Sequence, residues 1–218
     1  MLTAKQRAIS LAEFLLGGFI VIGHNVYHIV PNEVPILFAL FWISFGLRER
    51  GWKVPGLPRP ESWGRTVLLA IAAVVVLHVG SELAVQPLAH HFWPEPEKVS
   101  GLIKTSPTWK ESLMFLGLVW TFAAFGEEFG YRGYLLNRAA DLGNRTTLAY
   151  LVAMVYVAVL FGFGHWYKGP AGVVDSTWSG LVIGTAYLLS GRNLWTAVLA
   201  HGLSDTVAVV AYALGWAN

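Results

Sequence analysis

The sequence contains no cysteine. This absence excludes disulfide bonds, iron-sulfur clusters, zinc sites built on thiolates and cysteine nucleophiles. Any metal site in this protein would therefore have to use histidine, aspartate or glutamate side chains.

Charged residues are also scarce. They make up 13% of the 218 residues, against 55% hydrophobic residues, and this is about half the charge density of a soluble domain. The mean hydropathy is +0.54, so a soluble globular protein is excluded as the leading interpretation. The net charge of +2 is too small to indicate a nucleic-acid partner. No low-complexity linker divides the apolar stretches, which predicts a single transmembrane domain over residues 1–218.

Recurring apolar stretches predict an all-α protein, a polytopic bundle of about seven transmembrane helices. Each stretch is near the roughly 20 residues that a bilayer requires, although the second is short. Lys5 and Arg7 are at the start of the first apolar stretch, but this stretch is too long and too polar for a cleaved signal peptide. We therefore interpret it as a retained signal anchor. The predicted spans cover about residues 8–30, 34–48, 66–89, 111–137, 146–167, 174–190 and 194–216.

The distribution of basic residues predicts a cytoplasmic N-terminus. With seven spans in that orientation, ten of the fifteen Lys and Arg residues are cytoplasmic, four are outside and Arg132 is in the membrane. Such a bias is typical of cytoplasmic loops. The ten are Lys5, Arg7, Arg48, Arg50, Lys53, Arg59, Arg65, Arg138, Arg145 and Arg192, and the four are Lys98, Lys104, Lys110 and Lys168.

The fourth span contains two adjacent carboxylates, Glu127 and Glu128, followed by Arg132. Charged side chains inside a bilayer need pairing or hydration. At 100° per residue, Glu128 and Arg132 share a helix face, whereas Glu127 points about 140° away from Arg132. This spacing predicts a structural Glu128–Arg132 ion pair that leaves Glu127 available for chemistry. The alternative is that both glutamates belong to a structural ion-pair network.

One further motif lies at the end of the fifth span, and another lies in the seventh span. Phe161 and His165 are four residues apart, and so are His201 and Asp205. The second spacing suits joint metal ligation, or an aspartate that orients an imidazole. The alternatives are a packing or headgroup role for His165 and a buried hydrogen-bonded helix contact for His201 and Asp205.

Taken together, these motifs resemble those of the CAAX protease and bacteriocin-processing (CPBP, or Abi) family of intramembrane endopeptidases. The family motifs Glu-Glu-x-x-x-Arg, Phe-x-x-x-His and His-x-x-x-Asn/Asp occur here in that order, within a catalytic core at about residues 111–216. Gly180 and Gly184 also follow the family pattern as a close-packing surface. The resemblance implies that Glu127 is the base for water and that His165, His201 and Asp205 complete the site.

The resemblance also implies a membrane-associated peptide or protein substrate, cleaved in CAAX-type, C-terminal or propeptide processing. We expect a location in a prokaryotic inner or plasma membrane, with the lipid bilayer as partner. A catalytically silent membrane adaptor or immunity protein with the same fold is an alternative, as is a transporter-like ion-binding protein built on His24, His28, His78 and Glu82. Interhelical hydrogen bonds are the simpler interpretation of those four residues.

Two hydrolytic mechanisms fit the motifs. In the first, which uses no metal, Glu127 and His165 activate water while His201 and residue 205 stabilise the oxyanion. In the second, His165, His201 and Asp205 hold Zn²⁺ and Glu127 is the base. An ionised Asp205 accepts hydrogen bonds but cannot donate them, which favours the zinc mechanism slightly.

The depths of Glu127 and His165 along their helices argue against including His165 in this site. If the fourth span ends near Arg138 and the fifth begins near Thr146, Glu127 and His165 differ in depth by about 12 Å. A tilted or late-starting fifth span would have to bring His165 to the site.

Overall fold

The computed structural model describes residues 1–48, 57–94 and 108–216, and within these ranges the chain is helical with no β-strand. The all-α prediction is therefore confirmed. The seven helices are α1 (Ala4–Asn25), α2 (Glu33–Arg48), α3 (Trp63–Phe92), α4 (Trp109–Leu142), α5 (Thr147–Phe163), α6 (Gly169–Leu189) and α7 (Leu194–Ala213).

Over the described ranges, four helices are long and apolar enough to cross a membrane by themselves, namely α1, α3, α4 and α7. The pair α5 and α6 meets the same criteria together, with a bend of 57° between them. The exact number of seven spans and the cytoplasmic N-terminus stay predictions. Four of the basic residues used for the orientation, Arg50, Lys53, Lys98 and Lys104, lie outside the described residues.

Side-chain caps set where several helices begin. Thr3 and Gln6 form a capping box at the start of α1, and Thr108 and Glu111 form one at the start of α4. Thr146 accepts a hydrogen bond from the Ala149 amide and so fixes the start of α5. These side chains satisfy backbone N–H groups that have no partner inside the helix.

Helix α4 departs from α-helical geometry around the adjacent glutamates. It is π-helical over Val119–Glu127 and again over Phe129–Leu135. π-Helical turns are rare and often occur at functional sites. All residues of the second segment are buried, which makes this part of α4 the centre of the bundle.

Glycines allow α2 to approach the π-helical part of α4. A Cβ atom on Gly130 would lie 3.0 Å from the Leu37 side chain, and one on Gly133 would lie 2.9 Å from the Phe41 ring. Leu37 and Phe41 are fully buried in this interface. α2 is therefore part of the core that supports the glutamates.

Glycines on α6 have the same effect against α5. A Cβ atom on Gly180 would lie 2.9 Å from the Ala158 backbone, and one on Gly184 would lie 2.8 Å from Met154. This pair forms the close-packing surface expected from the sequence. Gly169, the first residue of α6, has φ +83°, a conformation that favours glycine because it has no Cβ atom.

Candidate active site

Glu128 and Arg132 form an ion pair in the core of the bundle. Arg132 Nη1 donates to Glu128 Oε1 over 2.8 Å, and the two residues are 0% and 1% exposed. Arg132 Nη2 donates to the Gly180 carbonyl over 3.0 Å, and its guanidinium lies 4.8 Å from the centre of the Phe161 ring. A buried charge pair needs such additional hydrogen bonds, and the close approach of α6 provides one of them.

Glu128 has a second role that the helical spacing does not indicate. Its Oε1 atom lies 2.7 Å from Nδ1 of the buried His201 on α7. On the other side of the imidazole, Nε2 lies 3.5 Å from Asp205 Oδ2. Because a carboxylate can only accept, His201 Nδ1 carries a proton and donates it to Glu128. Glu128 thus orients the histidine as well as pairing with Arg132.

Glu127 differs from its neighbour in its hydrogen bonds. The Oε2 atoms of both glutamates are buried and have no hydrogen-bond partner among the described residues, but only Glu128 is bonded through its Oε1 atom. The charged groups within electrostatic reach of Glu127 are His201, Asp205, Glu33 and Glu128. Because a buried carboxylate oxygen without a partner is unfavourable, Glu127 is suited to receive a proton or a hydrogen bond from a molecule in the site.

His165 lies in the turn after α5, and its Nδ1 is 3.0 Å from the Phe161 carbonyl oxygen. The Phe161 ring lies 4.8 Å from the His165 ring and 5.9 Å from the His201 ring, measured between ring centres. The two histidines therefore flank one aromatic side chain. Nδ1 donates to the carbonyl, which leaves Nε2 of neutral His165 as an acceptor.

The expected 12 Å difference in depth between Glu127 and His165 is wrong, because it assumed that the fourth helix ends near Arg138. α4 instead continues to Leu142, and α5 begins at Thr147. Counted from these ends, Glu127 is 15 residues away and His165 is 18 residues away, so the two counts differ by only three residues. A tilted fifth span is not required.

The predicted zinc ligands His165, His201 and Asp205 do not fit a metal site. In the part of the chain that the structure describes, no three His, Asp or Glu side chains are placed to hold one ion. Nδ1 of His165 faces a backbone carbonyl and Nδ1 of His201 is bonded to Glu128, so only the Nε2 atoms of the two rings could act as ligands. The zinc site therefore stays a prediction that the geometry does not support, and no step below uses it.

The structure adds Glu33 to this region. Glu33 begins α2 and is 7% exposed, and its Oε2 atom lies 3.3 Å from His24 Nε2 without a hydrogen bond. A Cβ atom on Gly126 would lie 2.6 Å from Val34, so the start of α2 touches α4 next to Glu127. The sequence gives no signal for this residue, because an acidic residue in the first turn of a helix is ordinary.

The four residues of the alternative ion-binding site do not come together. His24 faces Glu33 and the Val30 carbonyl, whereas His78 lies 3.2 Å from Ser204 Oγ on α7. His28 lies in a turn with φ +56°, and Glu82 is exposed. Hydrogen bonding between helices therefore accounts for His78, and the ion-binding alternative gains no support.

A buried Glu-Arg-His arrangement in a bundle of apolar helices defines an integral membrane protein with a polar site inside it. Residues 109–207, which include all three motifs, match the family model described as "Type II CAAX prenyl endopeptidase Rce1-like". This match assigns that segment to the CPBP, or CAAX protease, family. The match supports a CAAX-type intramembrane endopeptidase activity in general, and the silent-adaptor alternative is not favoured. No curated protein and no solved structure gave a significant match.

Proposed function

We propose that the protein hydrolyses a peptide bond of a membrane-associated substrate with a water molecule activated by Glu127. One observation carries the proposal. Both adjacent glutamates keep a buried Oε2 atom without a hydrogen bond. Glu128 is nevertheless engaged through Oε1 by Arg132 and His201, whereas no side chain among the described residues forms a hydrogen bond or an ion pair with Glu127.

In the proposed reaction, Glu127 accepts a proton from water while the water oxygen attacks the scissile carbonyl carbon. The same proton then passes from Glu127 to the leaving amine nitrogen as the C–N bond breaks, so that Glu127 is base and later acid. In this proposal His165 accepts a hydrogen bond from the water through Nε2. This assignment is supported by the Phe161 carbonyl, which binds the opposite nitrogen of the ring.

His201 is suited to stabilising the oxyanion. Glu128 fixes the orientation of its ring through Nδ1, which is the kind of preorganisation that favours a developing negative charge. With both nitrogens protonated, His201 keeps its Nε2–H group for the oxyanion. Asp205, 3.5 Å from Nε2, holds that group in position rather than donating to the oxyanion itself.

The proposed substrate is a prenylated CAAX tail or another C-terminal or propeptide segment held at the bilayer, in a prokaryotic inner or plasma membrane. The family description supports a prenylated peptide. Many large apolar side chains on α1, α3 and α5 are exposed, so these helices contact lipid, and a lipid-anchored substrate would share that environment with the protein.

The proposed function can be tested by incubating the reconstituted protein with a membrane proteome and identifying new C-termini by mass spectrometry. The Glu127→Gln variant at equal amount is the control. We expect new C-termini with the wild-type protein only. If the two proteins produce the same C-termini, or if neither produces any, the proposal is wrong.

A further inference from the structure

A second polar cluster lies at one end of the bundle, away from the catalytic motifs. Its centre is Asp141 near the end of α4, which is fully buried. Asp141 Oδ2 accepts hydrogen bonds from Ser10 over 2.7 Å and from Arg138 Nη1 over 3.1 Å. Asp141 Oδ1 accepts from Arg145 Nε over 2.5 Å. The cluster therefore joins the start of α1 to the end of α4.

A second carboxylate connects the cluster to α2. Glu13 on α1 accepts from Arg48, the last residue of α2, and lies 3.2 Å from Arg138 Nε. Arg48 also donates to the Gln6 carbonyl over 3.1 Å. The ends of three helices are thus connected by charged side chains.

These side chains border a pocket of about 240 Å³ that is lined by basic residues. Lys5, Arg48, Arg138 and Arg145 line it together with Asp141. The four basic residues carry four positive charges, and Asp141 together with the nearby Glu13 carries two negative charges. Among the described residues, this region therefore has an excess of two positive charges. An excess of positive charge in a confined space favours an anionic ligand.

The pocket is located where lipid headgroups are expected. It lies at the ends of α1 and α4, two helices that are long and apolar enough to cross the membrane, and basic pockets between such helices bind anionic headgroups.

We infer that the basic pocket binds the phosphate group of an anionic phospholipid at the membrane surface. The ligand would link the start of α1 to the α4–α5 turn and stabilise the bundle. The pocket is not lined by a residue of the catalytic motifs, so this is a binding site separate from the peptidase reaction.

Thermal unfolding of the full-length protein in detergent tests this inference. Phosphatidylglycerol, phosphatidylcholine and inorganic phosphate are added in separate titrations. A ligand that binds only the folded state raises Tm by an amount that grows with the logarithm of its concentration above Kd. We expect a rise with phosphatidylglycerol and none with phosphatidylcholine. An equal rise with inorganic phosphate would support the phosphate pocket but contradict the lipid as its source. No rise with either anion, or an equal rise with phosphatidylcholine, would overturn the inference.

The variant Lys5→Gln has a matched control in Arg7→Gln. Both residues are exposed and belong to the first turn of α1, but only Lys5 lines the pocket. We expect Lys5→Gln to weaken phosphatidylglycerol binding about fivefold, which corresponds to the ~1 kcal/mol of one basic residue near an anionic surface. Arg7→Gln should leave binding unchanged. Equal weakening by both variants would show general surface attraction and contradict the pocket.

Discussion

At the scale of single residues, two adjacent glutamates have different environments. The i,i+4 rule accounts for Glu128–Arg132 and for His201–Asp205, because each pair lies on one helix and depends only on local geometry. The contact between Glu128 and His201 joins α4 to α7. Such a contact depends on how the helices pack, so the spacing of residues along the chain could not predict it. The same holds for Glu33, which reaches the site from α2.

Glu128→Gln should destabilise the protein. The change removes the negative charge beside the buried Arg132, and removing one partner of a buried ion pair costs about 3–5 kcal/mol. It also weakens the contact that orients His201, so we expect lower peptidase activity in the folded fraction. Thermal unfolding and activity measured on the same sample check both effects. A variant with wild-type Tm would show that the pair does not stabilise the fold.

Asp205→Asn distinguishes the two mechanisms. Because the geometry does not support a three-ligand metal site, we expect the variant to keep substantial activity and the wild-type enzyme to be insensitive to strong chelators. An amide oxygen binds zinc less well than a carboxylate, so a zinc ligand would be damaged by this change. Loss of activity in both the variant and the chelated wild type, with recovery of the wild type on adding zinc, would establish the metal mechanism.

At the scale of helices, the sequence predicts that α4 exists but not its shape or its end. The predicted span ends at residue 137, where Asn137, Arg138 and Asp141 suggest an exposed terminus. In the structure all three are buried. Asn137 donates to the Arg132 and Gly133 carbonyls, and Asp141 is bonded to basic residues. Contacts made only in the folded protein thus extend the helix, and the π-helical turns depend on the same packing.

Gly202→Ala tests the contact between α4 and α7. A Cβ atom at Gly202 would lie 2.6 Å from the Trp120 ring, so α7 has to move away from α4 and carry His201 with it. We expect a loss of about 1–3 kcal/mol of stability, as for other overpacked sites, and a lower kcat/KM.

Gly117→Ala is the matched control, because a Cβ atom there would have no neighbour within 4 Å. It should leave kcat/KM unchanged. Equal effects of the two substitutions on kcat/KM would indicate that the approach of Trp120 to α7 does not position the site.

At the scale of the whole molecule, composition and hydropathy were sufficient to predict an all-helical membrane protein. They could not predict the 57° bend between α5 and α6, because a bent span and two straight spans have similar apolar runs. The order of the motifs along the chain indicated the family, and the matched segment, residues 109–207, agrees closely with the predicted core.

Membrane topology can be tested across this bend. If α5 crosses the bilayer as one of seven spans, reporter fusions after Arg145 and after Lys168 should report opposite sides, with Arg145 cytoplasmic. The expectation follows from the excess of basic residues on the predicted cytoplasmic side. Both fusions reporting the same side would show that spans four to seven are misassigned and that α5 does not cross the bilayer by itself.

The most direct test of the central claim is the cleavage rate of Glu127→Gln, measured on a substrate identified from the proteome experiment and compared with the wild-type rate. General acid-base catalysis contributes typically 10²–10⁴-fold to a rate. We therefore predict a loss of about that size, with Tm and protein yield unchanged because Arg132 and His201 are held by Glu128. A folded Glu127→Gln protein that cleaves at the wild-type rate would contradict the assignment of Glu127 as the base.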